Sequence, residues 1–328
     1  MECRCFEGTY KDARAVVLEN DILRVAITPD FGARTASILY KPLDKELLWQ
    51  NPGAKHARPL YADGYEKGEF AGFDEMFPTI SRCFCEVDPW AGTEMPDHGE
   101  VWSIPWSWKG DAKGGAGFTA EGVRFPYTLS KRLTLEEGVF RAEYTLLNRS
   151  DFPFPCIWAA HPLFVCEEGT EFIVPGGMDR IINSVAGATL GPYGAQYDFP
   201  RAETPAGPVD LSKVPRRNGK GYQKYYFNGP VPEGWCLLYH PTDRLSMGMS
   251  YPADTVRYLG MWLNEGGLAG QYNIAPEPAT AAMDRTDAAA LWGMDSVLAP
   301  GEARRWYLNI SVIEGRRGRR VDERGVIQ

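Results

Sequence analysis

Glu277 stands between two prolines in the stretch QYNIAPEPAT, residues 271–280. The residue before a proline is pushed out of the helical region, and proline fixes its own φ while offering no backbone donor. Ala275 and Glu277 are therefore expected to be extended, with the acid excluded from a helix and poorly placed inside a sheet. A carboxylate held so stiffly suits acid–base work. Its partners are few, because the chain has only four histidines. His161 lies in the apolar stretch CIWAAHPLFV, and His98 lies in MPDHGEVWSIPW, close to Trp102, Trp106 and Trp108. As a core residue and a surface-loop residue these two would need no chemistry; as titrating groups they supply protons near neutral pH. His56 and His240 have no flanking features and are assigned no role. There is no G-x-S-x-G elbow, no phosphate loop and no G-x-G-x-x-G after a strand. What is left is proton transfer by Glu and His. The abundant aromatic rings suit the C–H faces of a sugar, whose hydroxyls need polar neighbours.

Composition narrows the partners. A net charge of −8 argues against nucleic acid and against an anionic membrane, which are both held by clustered Lys and Arg. The one basic cluster, EGRRGRRVDER at 314–324, has acids within it and closes the chain. Residues from about 316 to 328 are expected to form a charged, flexible tail. The polar opening MECRCFEGTYKDAR lacks the apolar run of an export signal. No stretch reaches the roughly 18 apolar residues of a membrane span. A cytoplasmic protein, monomer or homodimer, with its seven cysteines reduced is expected. The C-x-C pairs Cys3/Cys5 and Cys83/Cys85 do not have the C-x2-C spacing of zinc sites. A His/His/Glu facial set could hold a metal, but no metal and no organic cofactor is expected.

The elements that must position these residues are strands. ARAVVLE, ILRVAITP and ARTASILYK are short, rich in Val, Ile and Thr, and separated by turns at Asn20-Asp21 and Asp30-Phe31-Gly32. GFTAEG, FPYTLSKRLTLEEG and VFRAEYTLLNRS repeat the pattern over 117–150, with Leu129, Lys131, Leu133 and Leu135 alternating with polar residues. Further strands are predicted at 155–160, 171–175, 234–239, 245–251 and 256–263. The last is RRWYLNISVIEG, where Trp306, Leu308, Ile310 and Val312 share a face. Only DRTDAAALWGM at 284–294 reads as a short helix. The Gly- and Pro-rich region 186–233 reads as long loops. The prediction is an all-β chain with few short helices: a large antiparallel β-sandwich in one domain over 1–328.

The ordered motifs HGEVWSIPW, AAHPLF, YLGMW…YNIAPEPAT and LAPGEARRWYLNISV resemble the aldose 1-epimerase (galactose mutarotase-like) family. LENDILRVAITPDFGARTASILYK is similar to its opening strands, and GFDEMFPTISR to the segment before its first histidine, so the resemblance covers nearly the whole chain. It implies a galactose mutarotase-like supersandwich and an isomerase that interconverts the anomers of a free aldose. By position it implies Glu277 as general base and His161 as general acid, with His98 and Arg82 at the sugar's ring and hydroxyls. Asp74 and Glu75 are either turn acids on a surface loop or acceptors for sugar hydroxyls. Trp106, near the first histidine, is expected to contact the sugar, and Trp262 could stack on the ring or fill the core. The chain departs from the family at three places. His98 is set in Asp97-His98-Gly99-Glu100, Leu163 replaces a common tyrosine, and no aspartate matches the one that grips hydroxyls, since Asp243 and Asp254 sit in turn-like contexts. Two other readings stay open: a carbohydrate-binding or regulatory protein without turnover, and a hexose-6-phosphate mutarotase using Arg82 and Arg124.

Overall fold

The computed structural model describes residues 3–53, 59–219 and 221–328; His56 lies outside them. Among the described residues there is one α-helix, Thr286–Leu291, and nearly all other regular structure is strand. Every registered pair of strands is antiparallel. The chain divides into two compact units, Met1–Pro162 with Ala279–Tyr307 and Leu163–Pro278 with Leu308–Gln328.

In the first unit, the strands Arg4–Tyr10, Ala13–Glu19, Leu23–Thr28, Arg34–Tyr40, Phe73–Met76 and Ala159–Pro162 lie side by side in that order. The meander Ser107–Gly110, Ala116–Glu121, Tyr127–Glu136 and Val139–Asn148 forms a second layer. Alternation builds its core face: Tyr127, Leu129, Lys131, Leu133 and Leu135 are buried while the residues between them are half-exposed. Lys131 is the exception in chemistry but not in burial. Its Nζ donates to both oxygens of Glu75, each at 2.7 Å, and to the Ala33 carbonyl at 2.8 Å. Tyr144 donates to the same carboxylate at 2.8 Å, and its ring stacks on Trp306, centroids 5.2 Å apart. Burial pushes the Glu75 carboxyl up even with the ammonium against it. Asp74 and Glu75 are therefore not loop acids; both are fully buried in the strand Phe73–Met76.

In the second unit, Tyr272–Ala279, Tyr258–Glu265, Tyr222–Phe227, Arg180–Asn183 and Gln196–Asp198 are successive neighbours. Trp235–His240 pairs with Glu171–Ile173 on one side and Leu245–Ser250 on the other. Three expectations are corrected here. Region 186–233 is not only loop. It holds the hairpin Arg201–Thr204 with Gly207–Asp210 and the strand Tyr222–Phe227, whose run KYYF is buried on both faces. Glu277 lies inside a strand, Tyr272–Ala279, despite its prolines. Phe164 and Val165 register with Ile274 and Asn273, so this ladder ends before the residues that cannot donate. Residues 316–328 do not fray: Val321 and Ile327 pack with Trp235 and Leu237, and Arg317 and Arg320 pair with Glu171 and Glu233. Gly248 makes the room, since a Cβ there would meet Val321 at 2.8 Å.

Removing one partner of the Lys131–Glu75 pair strands the other charge in the core. Lys131→Met is expected to cost about 3–5 kcal/mol in urea unfolding. The double variant Lys131→Met/Glu75→Leu should recover a large part of that loss, measured in the same experiment.

Candidate active site

The strand partner of Phe73–Met76 is Ala159–Pro162, and Asp74 registers opposite His161. Alternation sends Asp74 to the face away from Glu75. There the guanidinium of Arg34 meets it, with Nε 2.9 and 3.0 Å from its two oxygens. Arg34 also faces Glu69 at 3.5 Å, and all three are buried. These carboxylates hold the Arg34 guanidinium above its ordinary range despite its burial. Tyr65 donates its phenol to Asp74 at 2.9 Å.

Tyr65 then organises the imidazoles. Its ring stacks on His98 with centroids 4.0 Å apart and planes 6° from parallel. It stands edge-on to His161 at 5.5 Å, and the two histidines are themselves 5.4 Å apart. Asp97 holds the segment from both sides: its carboxylate accepts from the Tyr65 amide at 2.9 Å and its carbonyl from the Trp102 indole at 3.0 Å. His98 takes a left-handed backbone, φ 57°, with its amide 2.6 Å from the Ile80 carbonyl. Gly99 after it is also left-handed, and a Cβ there would fall 2.0 Å from the Phe77 carbonyl oxygen. Only glycine fits that position.

In the second unit, Glu277 is fully buried and 3.0 Å from the ammonium of Lys224. Lys224 registers with Trp262, and Tyr226 with Gly260. A Cβ on Gly260 would meet the Tyr226 ring at 3.0 Å and the Glu277 Cβ at 3.4 Å, so the bare glycine lets ring and acid crowd together. The Trp262 indole donates to Asn273 at 3.2 Å and its ring tilts against Tyr222, centroids 5.3 Å apart.

The residues foreseen as a site fare differently. His98, His161 and Asp74 share one cluster, although both Asp74 oxygens already accept from protein donors. Arg82 does not join it: its side chain is 63% exposed and drawn to Glu94 at 3.1 Å. Arg34 is the arginine of the cluster. Trp106 belongs to the core; its indole donates to the Val101 carbonyl at 2.9 Å and its ring lies under the Lys131 ammonium. Arg34, Tyr65 and Lys224 were not foreseen. A lysine within the aromatic run KYYF was the one usable signal; stacking by Tyr65 leaves no spacing to read.

No protein-family model matches the sequence, and no curated protein matches it. Solved structures do. The Slr1438 protein from Synechocystis sp. PCC 6803 superposes with a TM-score of 0.68 at 15% identity, covering 94% of this chain and 99% of that one. A galactose mutarotase-like protein from Lactobacillus casei ATCC 334 covers 91% and 100%, with a TM-score of 0.58 at 17% identity. The chain has the galactose mutarotase-like fold. A galactose mutarotase related enzyme from Lactobacillus acidophilus agrees, with a TM-score of 0.61 at 14% identity over 91% of this chain and 97% of its own. In this version of the galactose mutarotase-like fold, among the described residues, no group of His, Cys, Asp and Glu has a metal-holding arrangement. Likewise no described helix is long and apolar enough to cross a membrane.

Tyr65→Phe keeps the ring between the imidazoles and removes one donor from buried Asp74. It is expected to destabilise by about 1–3 kcal/mol in chemical unfolding. The ring-proton signals of His98 in NMR should stay in place, and they should shift in Tyr65→Leu, which removes the stacked ring.

Proposed function

We propose that the protein is an aldose 1-epimerase-like isomerase that interconverts the α and β anomers of a free, neutral sugar. The reaction needs one proton taken from the C1 hydroxyl and one delivered to the ring oxygen. The ring opens, the C1 carbonyl turns about C1–C2, and the reverse transfers close it on the other face. Glu277 is the proposed base and His161 the proposed acid, with His98 beside the ring, and each proton transfer contributes about 10²–10⁴-fold.

The observation that carries this reading is the state of the two named residues. Each is buried, each is on a strand, and each is held by neighbours of fixed geometry. Lys224 favours the ionised form of Glu277, as a base requires. A neutral sugar is preferred because Arg82 and Arg124, the guanidiniums a 6-phosphate would need, both turn to Glu94.

The same Lys224 contact is what favours a second reading. A carboxylate already clasped by an ammonium suits a sugar-binding protein without turnover, which sugar would stabilise thermally with no anomerisation.

Polarimetry on freshly dissolved α-sugars decides between them. Glu277→Gln should lose at least about 10²-fold in rate, and a wild type that is no faster than buffer on a broad panel sinks the enzyme reading. Lys224→Met removes the charge that favours the carboxylate, so the acid limb of the pH–rate profile should move to higher pH. An unmoved limb would separate Lys224 from the reaction.

A further inference from the structure

Tyr65 enters the histidine cluster from a strap, residues 60–70, that belongs to no sheet. Over 60–68 the amides of Leu60, Asp63, Lys67 and Gly68 bond within the strap's own turns. Among the described residues its backbone reaches outside only once, from the Tyr65 amide to the Asp97 carboxylate at 2.9 Å. Two phenols tie it down: Tyr61 donates to Glu100 at 2.6 Å and Tyr65 to Asp74 at 2.9 Å. The Arg124 guanidinium lies over the Tyr61 ring, 5.3 Å from its centroid. Ala62 and Phe70 take a left-handed backbone, φ 63° and 53°. Residues with a Cβ are strained there, and the strain is released when the segment moves.

The acids that hold the strap do not depend on it. Glu100 also accepts from the amides of Val123 and Arg124, at 3.1 and 2.9 Å, and from the Tyr127 phenol at 2.8 Å. Asp74 has both of its oxygens on Arg34 Nε. Asp97, with its side chain 31% exposed, is open to water. Lifting the strap therefore strands no buried carboxylate, which is the large penalty in breaking such bonds. The two phenols exchange their acceptors for water. What the strap covers is the imidazole pair. Tyr65 is 3% and His161 2% exposed. Stacked on His98 and edge-on to His161, the Tyr65 ring fills a place from which a six-membered sugar ring would meet both imidazoles.

We propose that residues 60–70 are a lid over His98 and His161, with Tyr65 as its plug and the Tyr61–Glu100 bond as its latch, which lifts to admit a ligand. That this ligand is a sugar rests on the reaction proposed above; the lid itself does not.

The test uses the full chain without sugar. Diethyl pyrocarbonate acylates accessible imidazole nitrogens, and mass spectrometry of the peptides reads each histidine separately. His161 reacts only from the open state, so its rate follows the open fraction. Tyr61→Phe keeps the ring under Arg124 and removes the latch donor. His161 should then be modified about tenfold faster, the worth of one hydrogen bond to a charged acceptor. His240, 1% exposed in the second unit, reports general loosening and should keep its rate. The Tyr65 amide leaves Asp97 in the same opening, so its hydrogen exchange, followed by NMR, should quicken by a similar factor. The proposal is overturned if Tyr61→Phe leaves His161 at the wild-type rate, or if His240 accelerates equally. It is also overturned if His161 speeds up while the Tyr65 amide does not. None of these readouts involves turnover, so a chain that failed to anomerise sugar would still decide the lid.

Discussion

Two consecutive carboxylates, both buried, leave the strand Phe73–Met76 a single usable register. Asp74 and Glu75 point to opposite faces, and each meets a cation from another strand, Arg34 on one side and Lys131 on the other. A slip of one residue would exchange the two acids and break both pairs at once. Burying an ion pair adds little net stability, because desolvation offsets the attraction. What it adds here is position. Glu75 fixes the strand against the layer that carries Tyr144, and Asp74 fixes Tyr65, which in turn sets both imidazoles of the cluster.

The strands of half-buried sheets were legible where one face is apolar. Ala13–Glu19, Leu23–Thr28, Arg34–Tyr40 and the meander 116–148 lie where alternation and turn residues put them. Arg4–Tyr10 was missed because most of its residues stay exposed and no apolar stripe marks it. Tyr222–Phe227 was hidden by the glycines and prolines around it, although its own residues favour a strand. Trp235 and Leu237 overrode the charge of the C-terminal segment by offering Val321 and Ile327 somewhere to pack, a tertiary effect that composition cannot carry.

The candidate site was legible to a similar extent and for similar reasons. Glu277 and His161 stand out by their neighbours in the chain: prolines for the one, an apolar run for the other. Arg34 does not, because its role depends on a strand forty residues away. Arg82 misled because it follows the Phe-Pro motif closely, whereas the side chain turns outward to Glu94. The prolines beside Glu277 also carried a wrong inference about the backbone. They stiffen a strand where one ladder has ended, and do not exclude the residue from the sheet.

Position 260 shows a different kind of constraint. The acid and the tyrosine ring both lie against position 260, where an added Cβ would stand 3.0 Å from the ring and 3.4 Å from the acid's Cβ. Trp262 and Lys224 can be exchanged for other side chains at some cost in packing or charge, so the polarity of this face is open to gradual change. Gly260 is held more tightly, since one added methyl group would press on the Tyr226 ring at 3.0 Å. Divergence of this chain toward new ligands would therefore have to run through the flanks of the acid, with its floor held constant.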